Sequence, residues 1–142
     1  MNFKFTNEYG KVPTRGSEYA AGYDLCAAVA DEVRIWPHET VKVDTGIAIE
    51  LPHGTFGAIF ARSGLATKQS LRPANCVGVV DEDYRGSIIV ALHNDSAEVK
   101  TVQPGDRIAQ LVIMPYMTVD FNEVKELNET NRADKGFGAS GR

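Results

Sequence analysis

Apolar and polar residues alternate with a period of two along much of this chain, and that pattern confines it to half-buried strands. Val33 and Ile35 flank Arg34, Val41 and Val43 flank Lys42, and Ile47, Ile49 and Leu51 alternate with Ala48 and Glu50. On a pleated backbone successive side chains face opposite sides, so each run turns one face to a core and one to water. Residues 56–60, 88–92 and 108–114 are denser apolar runs, which predicts strands buried on both faces. Turn chemistry separates the runs, at Pro37-His38, Pro52-His53-Gly54 and Pro104-Gly105-Asp106. Short strands so punctuated predict an all-β sandwich or barrel. One brief helix is expected from residue 63 to about 69, where Leu65, Ala66, Lys68 and Gln69 are good helix formers.

With 142 residues the chain is expected to form one domain with a real core and no need of staples. Its formal charge of −4 leaves no basic excess to neutralise a phosphate backbone, which argues against a dedicated nucleic-acid or membrane-surface binder. One small anion can still be bound if a few cations converge. Cys26 and Cys76 lack metal or redox spacing and read as buried or half-buried free thiols in a reducing compartment. The first residues show no signal-peptide pattern, and no run approaches the roughly 20 apolar residues of a membrane span. A cytoplasmic protein with no membrane partner is expected.

Polar chemistry concentrates in a few places. Residues 75–86 read Asn-Cys-Val-Gly-Val-Val-Asp-Glu-Asp-Tyr-Arg-Gly, with three carboxylates following an apolar strand. A calcium loop would need oxygen ligands where Arg85 and Leu92 stand, so that reading fails. Residues 61–66, Ala-Arg-Ser-Gly-Leu-Ala, form neither a nucleophile elbow nor a phosphate loop. They do place an arginine, a hydroxyl and a glycine at a helix start, where amides and a guanidinium suit phosphate; an ordinary Ser cap is the bland alternative. His38, His53 and His93 lie in or beside turns without triad or metal spacing, and read as surface or structural residues. Beyond residue 128 the sole large apolar residue is Phe137, framed by Gly136 and Gly138 and accompanied by Arg132, Lys135 and Ser140. Composition alone leaves this segment open between a frayed end and an arm that closes over a flat anionic ligand.

Taken in order, Ala21-Gly22-Tyr23-Asp24-Leu25, the 61–66 run, the 78–86 run, Gly105-Asp106-Arg107-Ile108-Ala109-Gln110-Leu111 and the Arg132, Phe137, Gly138, Ser140 segment resemble the five motifs of the trimeric dUTPase family. The resemblance implies a distorted jelly-roll β-barrel, a homotrimer, a core over 1–127 and a C-terminal arm over 128–142 that closes on the active site. It implies hydrolysis of dUTP to dUMP and pyrophosphate with Mg²⁺ as cofactor. Asp81 takes the place of the residue that orients and deprotonates water, and Asp24 acts on the metal through water or on a neighbouring arginine. Arg62, Ser63, Gly64 and Gln110 take the phosphate-gripping positions. Asn75, Gly78, Val79 and Val80 read the uracil edge, and Tyr84 packs on deoxyribose. Arg132 and Ser140 reach the γ-phosphate, Gly138 belongs to the same arm, and Phe137 stacks on the base.

The family often carries a glycine-rich run before that aromatic, whereas Ala133-Asp134-Lys135 stands here, so altered lid kinetics are expected. A dCTP deaminase shares fold and trimer, but no glutamate is placed as its proton shuttle. A nucleotide-sensing regulator or a purely structural jelly-roll subunit finds no support in these residues.

Overall fold

The computed structural model describes residues 4–130 and 133–134. Alternation becomes strand almost wherever it occurs. In order these are β1 (Phe5–Asn7), β2 (Thr14–Arg15), β3 (Tyr23–Cys26), β4 (Val33–Ile35), β5 (Thr40–Asp44), β6 (Ile47–Ile49) and β7 (Thr55–Phe60). Helix α1 (Ser63–Gln69) follows, then β8 (Leu71–Pro73), β9 (Val77–Val80), β10 (Ile89–Asn94), β11 (Lys100–Val102) and β12 (Arg107–Pro115). The 47–51 run shows why: Ile47, Ile49 and Leu51 are buried, Ala48 is half-buried and Glu50 is exposed.

These strands make four sheets, each antiparallel. The largest runs β2-β3-β12-β7-β9, beside a three-stranded sheet β5-β10-β8 and the pairs β1-β6 and β11-β4. One apolar core joins them, with Leu25, Ile35, Ile47, Leu71, Leu92 and Ile108 at 1% exposure or less. Among the described residues two polar side chains, Thr45 and Asn94, are fully buried, and both are satisfied. Thr45 donates its hydroxyl to the Ile88 carbonyl at 2.8 Å, and the Asn94 amide donates to the carbonyls of Ile35 and Glu98. Buried polar groups without such partners would cost free energy.

Three expectations need correction. The barrel is not closed by hydrogen bonds: among the described residues every sheet is open. The strands are mostly two to six residues long, too short to carry one ladder round the core, so the layers meet through side chains instead. The 88–92 run is buried on one face only, because Ile89 in β10 stays 52% exposed while Ile88 and Val90 are at 2%. Finally, Cys26 is half-buried as expected, but Cys76 is exposed on the tight turn before β9, at a left-handed φ of 63°.

Among the described residues no helix is long and apolar enough to cross a membrane.

Candidate functional site

Strand β12 organises one half of the site because it pairs on both sides. Gln110 sits opposite Asp24 of β3 and opposite Phe60 of β7, so segments far apart in sequence meet across a single rung. The chain leaving β7 turns at Ala61-Arg62 into α1, which brings Arg62, Ser63 and Gly64 beside that rung. The result is a cleft of about 430 Å³ lined by Gly22, Asp24, Arg62, Ser63, Gly64, Arg107 and Gln110 among others.

Its electrostatics are set by one carboxylate between two guanidiniums. Arg62 Nε donates to Asp24 Oδ1 at 2.8 Å, and Arg107 Nη1 donates to Oδ2 at 3.3 Å. The Asp24 side chain is 15% exposed, against 26% for Arg62 and 58% for Arg107. Among the described residues neither Nη of Arg62 is taken, so the fork that suits a phosphate stays available. Arg107, given no role of its own by the sequence, enters the cleft through an irregularity of β12. Residues 107 and 110 are three apart and would face opposite sides of a regular strand. A bulge between Arg107 and Ala109 shifts the register and turns both into the cleft.

Gln110 is placed partly for support. Its Nε2 donates to the Ala61 carbonyl at 2.8 Å, tying β12 to the turn before α1. Gly22 makes room for it, since a Cβ there would lie 2.4 Å from Gln110 Oε1. At the helix start Arg62 is the N-cap residue and makes no side-chain cap, and the first turn holds no acid. The bland reading of Ser63 as the cap therefore fails, and its hydroxyl is not spent on the helix. A Cβ on Gly64 would meet nothing within 4 Å, so crowding inside this chain does not explain the glycine.

The second half lies around β9, an edge strand of the large sheet. Among the described residues it pairs with β7 alone, so its other edge carries backbone N–H and C=O groups that can meet a planar polar edge, apart from the Val77 amide, which donates to the Asn75 carbonyl at 2.7 Å. Gly78 faces Ile59 across the ladder, and a Cβ there would stand 3.1 Å from the Ile59 Cβ. Asn75, Gly78, Val79, Val80, Asp81 and Tyr84 all line one cavity of about 230 Å³, closed from behind by Ile88, Val90 and Ala91. The Tyr84 hydroxyl donates to the Ser87 carbonyl at 3.0 Å. Its ring folds over Gly86, where a Cβ would fall 2.4 Å from the phenol oxygen. Ser87, a lining residue the sequence did not flag, donates its hydroxyl to Asp44. Burial works against the Asp44 carboxylate, but donors from Ser87, the Gly46 amide and Tyr9 outweigh it and hold its pKa below the usual range.

The three carboxylates after β9 have different fates. Glu82 is fully engaged, by His53, the Gly54 amide and Tyr116. Those donors, His53 foremost, hold its pKa low. Asp83 lines only a wide outer hollow of about 830 Å³. Asp81 lines both that hollow and the inner cavity. Among the described residues no cation pairs with it.

The donor set also decides how a divalent cation could be held. Among the described residues no three His, Cys, Asp or Glu side chains converge. Asp24 stands nearly alone in the cleft, and both its oxygens already accept from arginine. This suits an ion that arrives on a ligand's phosphates with its own waters rather than one caged by protein. The anticipated Arg132, Phe137, Gly138 and Ser140 lie outside the described residues.

Known proteins resemble this chain over nearly its full length. The dUTPase family model matches residues 8–141. A deoxyuridine 5'-triphosphate nucleotidohydrolase of Desulfitobacterium hafniense is 49% identical over 132 residues, covering 92% of this chain and 87% of that protein. The enzyme of the same description from Escherichia phage T5 is 45% identical over 136 residues, covering 92% and 91%. Among solved structures, the G164S mutant dUTPase of Staphylococcus bacteriophage 80alpha with dUpNHpp superposes with a TM-score of 0.90. It is 26% identical and 99% of each chain is covered.

Proposed function

This chain belongs to the dUTPase family, and we propose that it is a dUTP diphosphatase that splits dUTP into dUMP and pyrophosphate by attack of water on the α-phosphorus. The observation that carries the assignment of roles is the division of labour among the acids. Asp24 is held between arginines and Glu82 by three donors, whereas Asp81 lines the nucleoside-sized cavity with no cation paired to it among the described residues. An uncommitted carboxylate at that lip can hold a water by hydrogen bond and take its proton.

A positioned base of this kind contributes about 10²–10⁴-fold. The remainder must come from holding the triphosphate in line and from neutralising charge as it moves onto the leaving pyrophosphate. Arg62, Arg107, the Ser63 hydroxyl and the backbone beside Gly64 are the groups available for that in the cleft. Mg²⁺ bound to the triphosphate, with a water turned to Asp24, would supply further positive charge at the same oxygens. Uracil is read by the free edge of β9 and the Asn75 amide. A pocket built from backbone has little freedom to widen for a 5-methyl group, and Tyr84 over Gly86 closes the space a 2′-hydroxyl would need.

The nucleoside cavity and the cation cleft share no lining residue. This supports a homotrimer in which one copy's β9 hairpin faces another copy's cleft. Residues 117–121 support it too: Met117, Val119 and Phe121 alternate with polar residues as a strand would, yet are 87%, 65% and 98% exposed. Residues 128–142, with Arg132, Phe137, Gly138 and Ser140, are read as the arm that closes the site. In the cell this activity would keep uracil out of DNA and supply dUMP for thymidylate synthesis, in the cytoplasm.

The test offers dUTP, dTTP, dCTP and UTP with Mg²⁺ and follows pyrophosphate release. Only dUTP should be consumed efficiently. Asp81→Asn should keep affinity for a non-hydrolysable dUTP analogue while turnover falls by at least about 10²-fold. Comparable turnover of all four nucleotides would overturn the function, and near-normal turnover by the variant would overturn the assigned base.

A further inference from the structure

Glu82 ties together, by its side chain, three segments that the ladder β12-β7-β9 already brings close at one end of the large sheet. Its Oε1 lies 2.8 Å from His53 Nδ1. Its Oε2 accepts from the Gly54 amide at 2.8 Å and from the Tyr116 hydroxyl at 3.0 Å. The Tyr116 amide in turn donates to the Gly54 carbonyl at 3.1 Å, so the end of β12 is fastened to the same turn by backbone and by side chain. Gly54 adopts a left-handed φ of 76°, open to glycine at little cost, at the turn where its amide meets the carboxylate. On the hairpin side, Arg85 Nη1 donates to the Glu82 carbonyl at 2.7 Å and the Tyr84 amide to the Asp81 carbonyl at 3.1 Å. The carboxylate is only 26% exposed, although His53 beside it is 97% exposed.

Glu82 and its three donors, His53, Gly54 and Tyr116, do not line the nucleoside cavity, and Glu82 lines the outer hollow. Its consequence falls on its neighbour. Asp81 stands between the last β9 rung, where Val80 pairs with Gly57, and Glu82, so the Glu82 contacts hold its backbone on the side the ladder does not. A base that must hold a water in line tolerates little error, and misplacement by about 1 Å can cost about 10²-fold. We propose that Glu82 is a positioning residue, which fixes Asp81 by clamping its hairpin to the 53–54 turn and, through Tyr116, to the start of the C-terminal segment. This rests on the reading of Asp81 as the base for dUTP hydrolysis. The clamp gives the hairpin a fixed reference at the point where residues 116–130 leave the sheet. The depressed pKa of Glu82, caused first by His53 and then by the Gly54 amide, keeps the carboxylate ionised as an acceptor for all three donors.

A latch that serves stability alone would lower the melting temperature and leave kcat intact, and kinetics separates the two. The full chain is compared with Glu82→Ala, Glu82→Gln, Tyr116→Phe and the Glu82→Ala/Tyr116→Phe double variant, measuring kcat and KM for dUTP, melting temperature, and dUMP affinity by calorimetry. Glu82→Ala should lower kcat by about 10-fold or more while dUMP affinity changes by less than about 3-fold. Glu82→Gln, whose amide oxygen still accepts, should recover part of the loss. Tyr116→Phe should lower kcat by about 2- to 5-fold, and the double variant should be no slower than Glu82→Ala, because the phenol acts through the carboxylate. Unchanged kcat in Glu82→Ala, whatever its melting temperature, overturns the proposal. If that variant fails to fold, unchanged kcat in both milder variants overturns it equally. Strictly additive losses overturn the link to Tyr116. A wild-type chain that does not hydrolyse dUTP refutes the function itself, a different failure from an active wild type indifferent to residue 82.

Discussion

The two halves of the site are built by opposite means. The cavity beside β9, proposed to take the nucleoside, comes mostly from residues 73–91, a nearly continuous stretch, and presents an edge-strand backbone with one ring folded over a glycine. The cation cleft takes Asp24 from β3, Arg62 to Gly64 from the β7–α1 junction and Arg107 with Gln110 from β12, and presents charged side chains. The first is suited to judging shape, because a ladder-held backbone moves little. The second is suited to gripping charge, because guanidiniums are adaptable and strong at close range. Selectivity and affinity should therefore be separable by mutation.

The largest effect is expected in the cleft. Arg62→Ala removes one of the two partners of Asp24 and the free terminal nitrogens of the fork. A hydrogen bond to a charged group contributes about 1.5–3 kcal/mol, so KM for dUTP should rise by roughly 10- to 100-fold. The preference for dUTP over UTP should stay within about 3-fold of wild type, since the cavity around β9 is untouched. Steady-state kinetics on both nucleotides at two salt concentrations checks this. A collapse of sugar selectivity would show that the halves are not independent.

The converse variant sits in the cavity. Gly86→Ala places a methyl where the phenol oxygen of Tyr84 now lies, 2.4 Å away, so the ring must swing out. If that ring excludes a 2′-hydroxyl, the dUTP-to-UTP ratio of kcat/KM should fall by about 10-fold, within the 10–200-fold range typical of small steric differences. Affinity for inorganic pyrophosphate, which needs only the cleft, should not move. Loss of pyrophosphate binding would mean that the hairpin also shapes the phosphate site.

This contrast also governs what could be read from sequence. The hairpin is local, so Asn75, Gly78, Val80, Asp81 and Tyr84 could be named together, and they do share one cavity. Helix α1 appeared where Leu65, Ala66 and Lys68 pointed to it, at Ser63–Gln69. The cleft depends on register, and register is invisible to periodicity once a bulge intervenes. Arg107 and Gln110, three apart, share a side only because the register shifts between Arg107 and Ala109, which the sequence does not show. The role of Glu82 is hidden in the sequence because its donors, His53 and Tyr116, lie 29 and 34 residues away. The barrel expectation failed at the same level, since alternation sets which face of a strand is buried but not whether successive ladders join. Ile89 teaches a related point: its apolar face is exposed in a single copy, where composition had suggested a covered strand.

The smallest effect is the most discriminating, because stability and affinity should move in opposite directions. Gly64 lies in the first turn of α1 at a φ outside the left-handed region, and a Cβ there would meet nothing within 4 Å. Alanine should therefore fit the fold. In a helix interior Ala is favoured over Gly by about 0.8–1 kcal/mol, and the gain at this first-turn position should be smaller, a rise of a degree or two in melting temperature. The same methyl would project into open space beside the cleft, where the proposed grip brings a phosphate oxygen close to backbone amides. Affinity for the triphosphate should then fall by about 3- to 5-fold, with sugar selectivity unchanged. A variant that is more stable yet grips the triphosphate less well would assign this glycine to the ligand rather than to the helix. If affinity is unchanged while stability rises, the backbone at residue 64 does not approach phosphate, and the grip lies with Arg62, Ser63 and Arg107 alone.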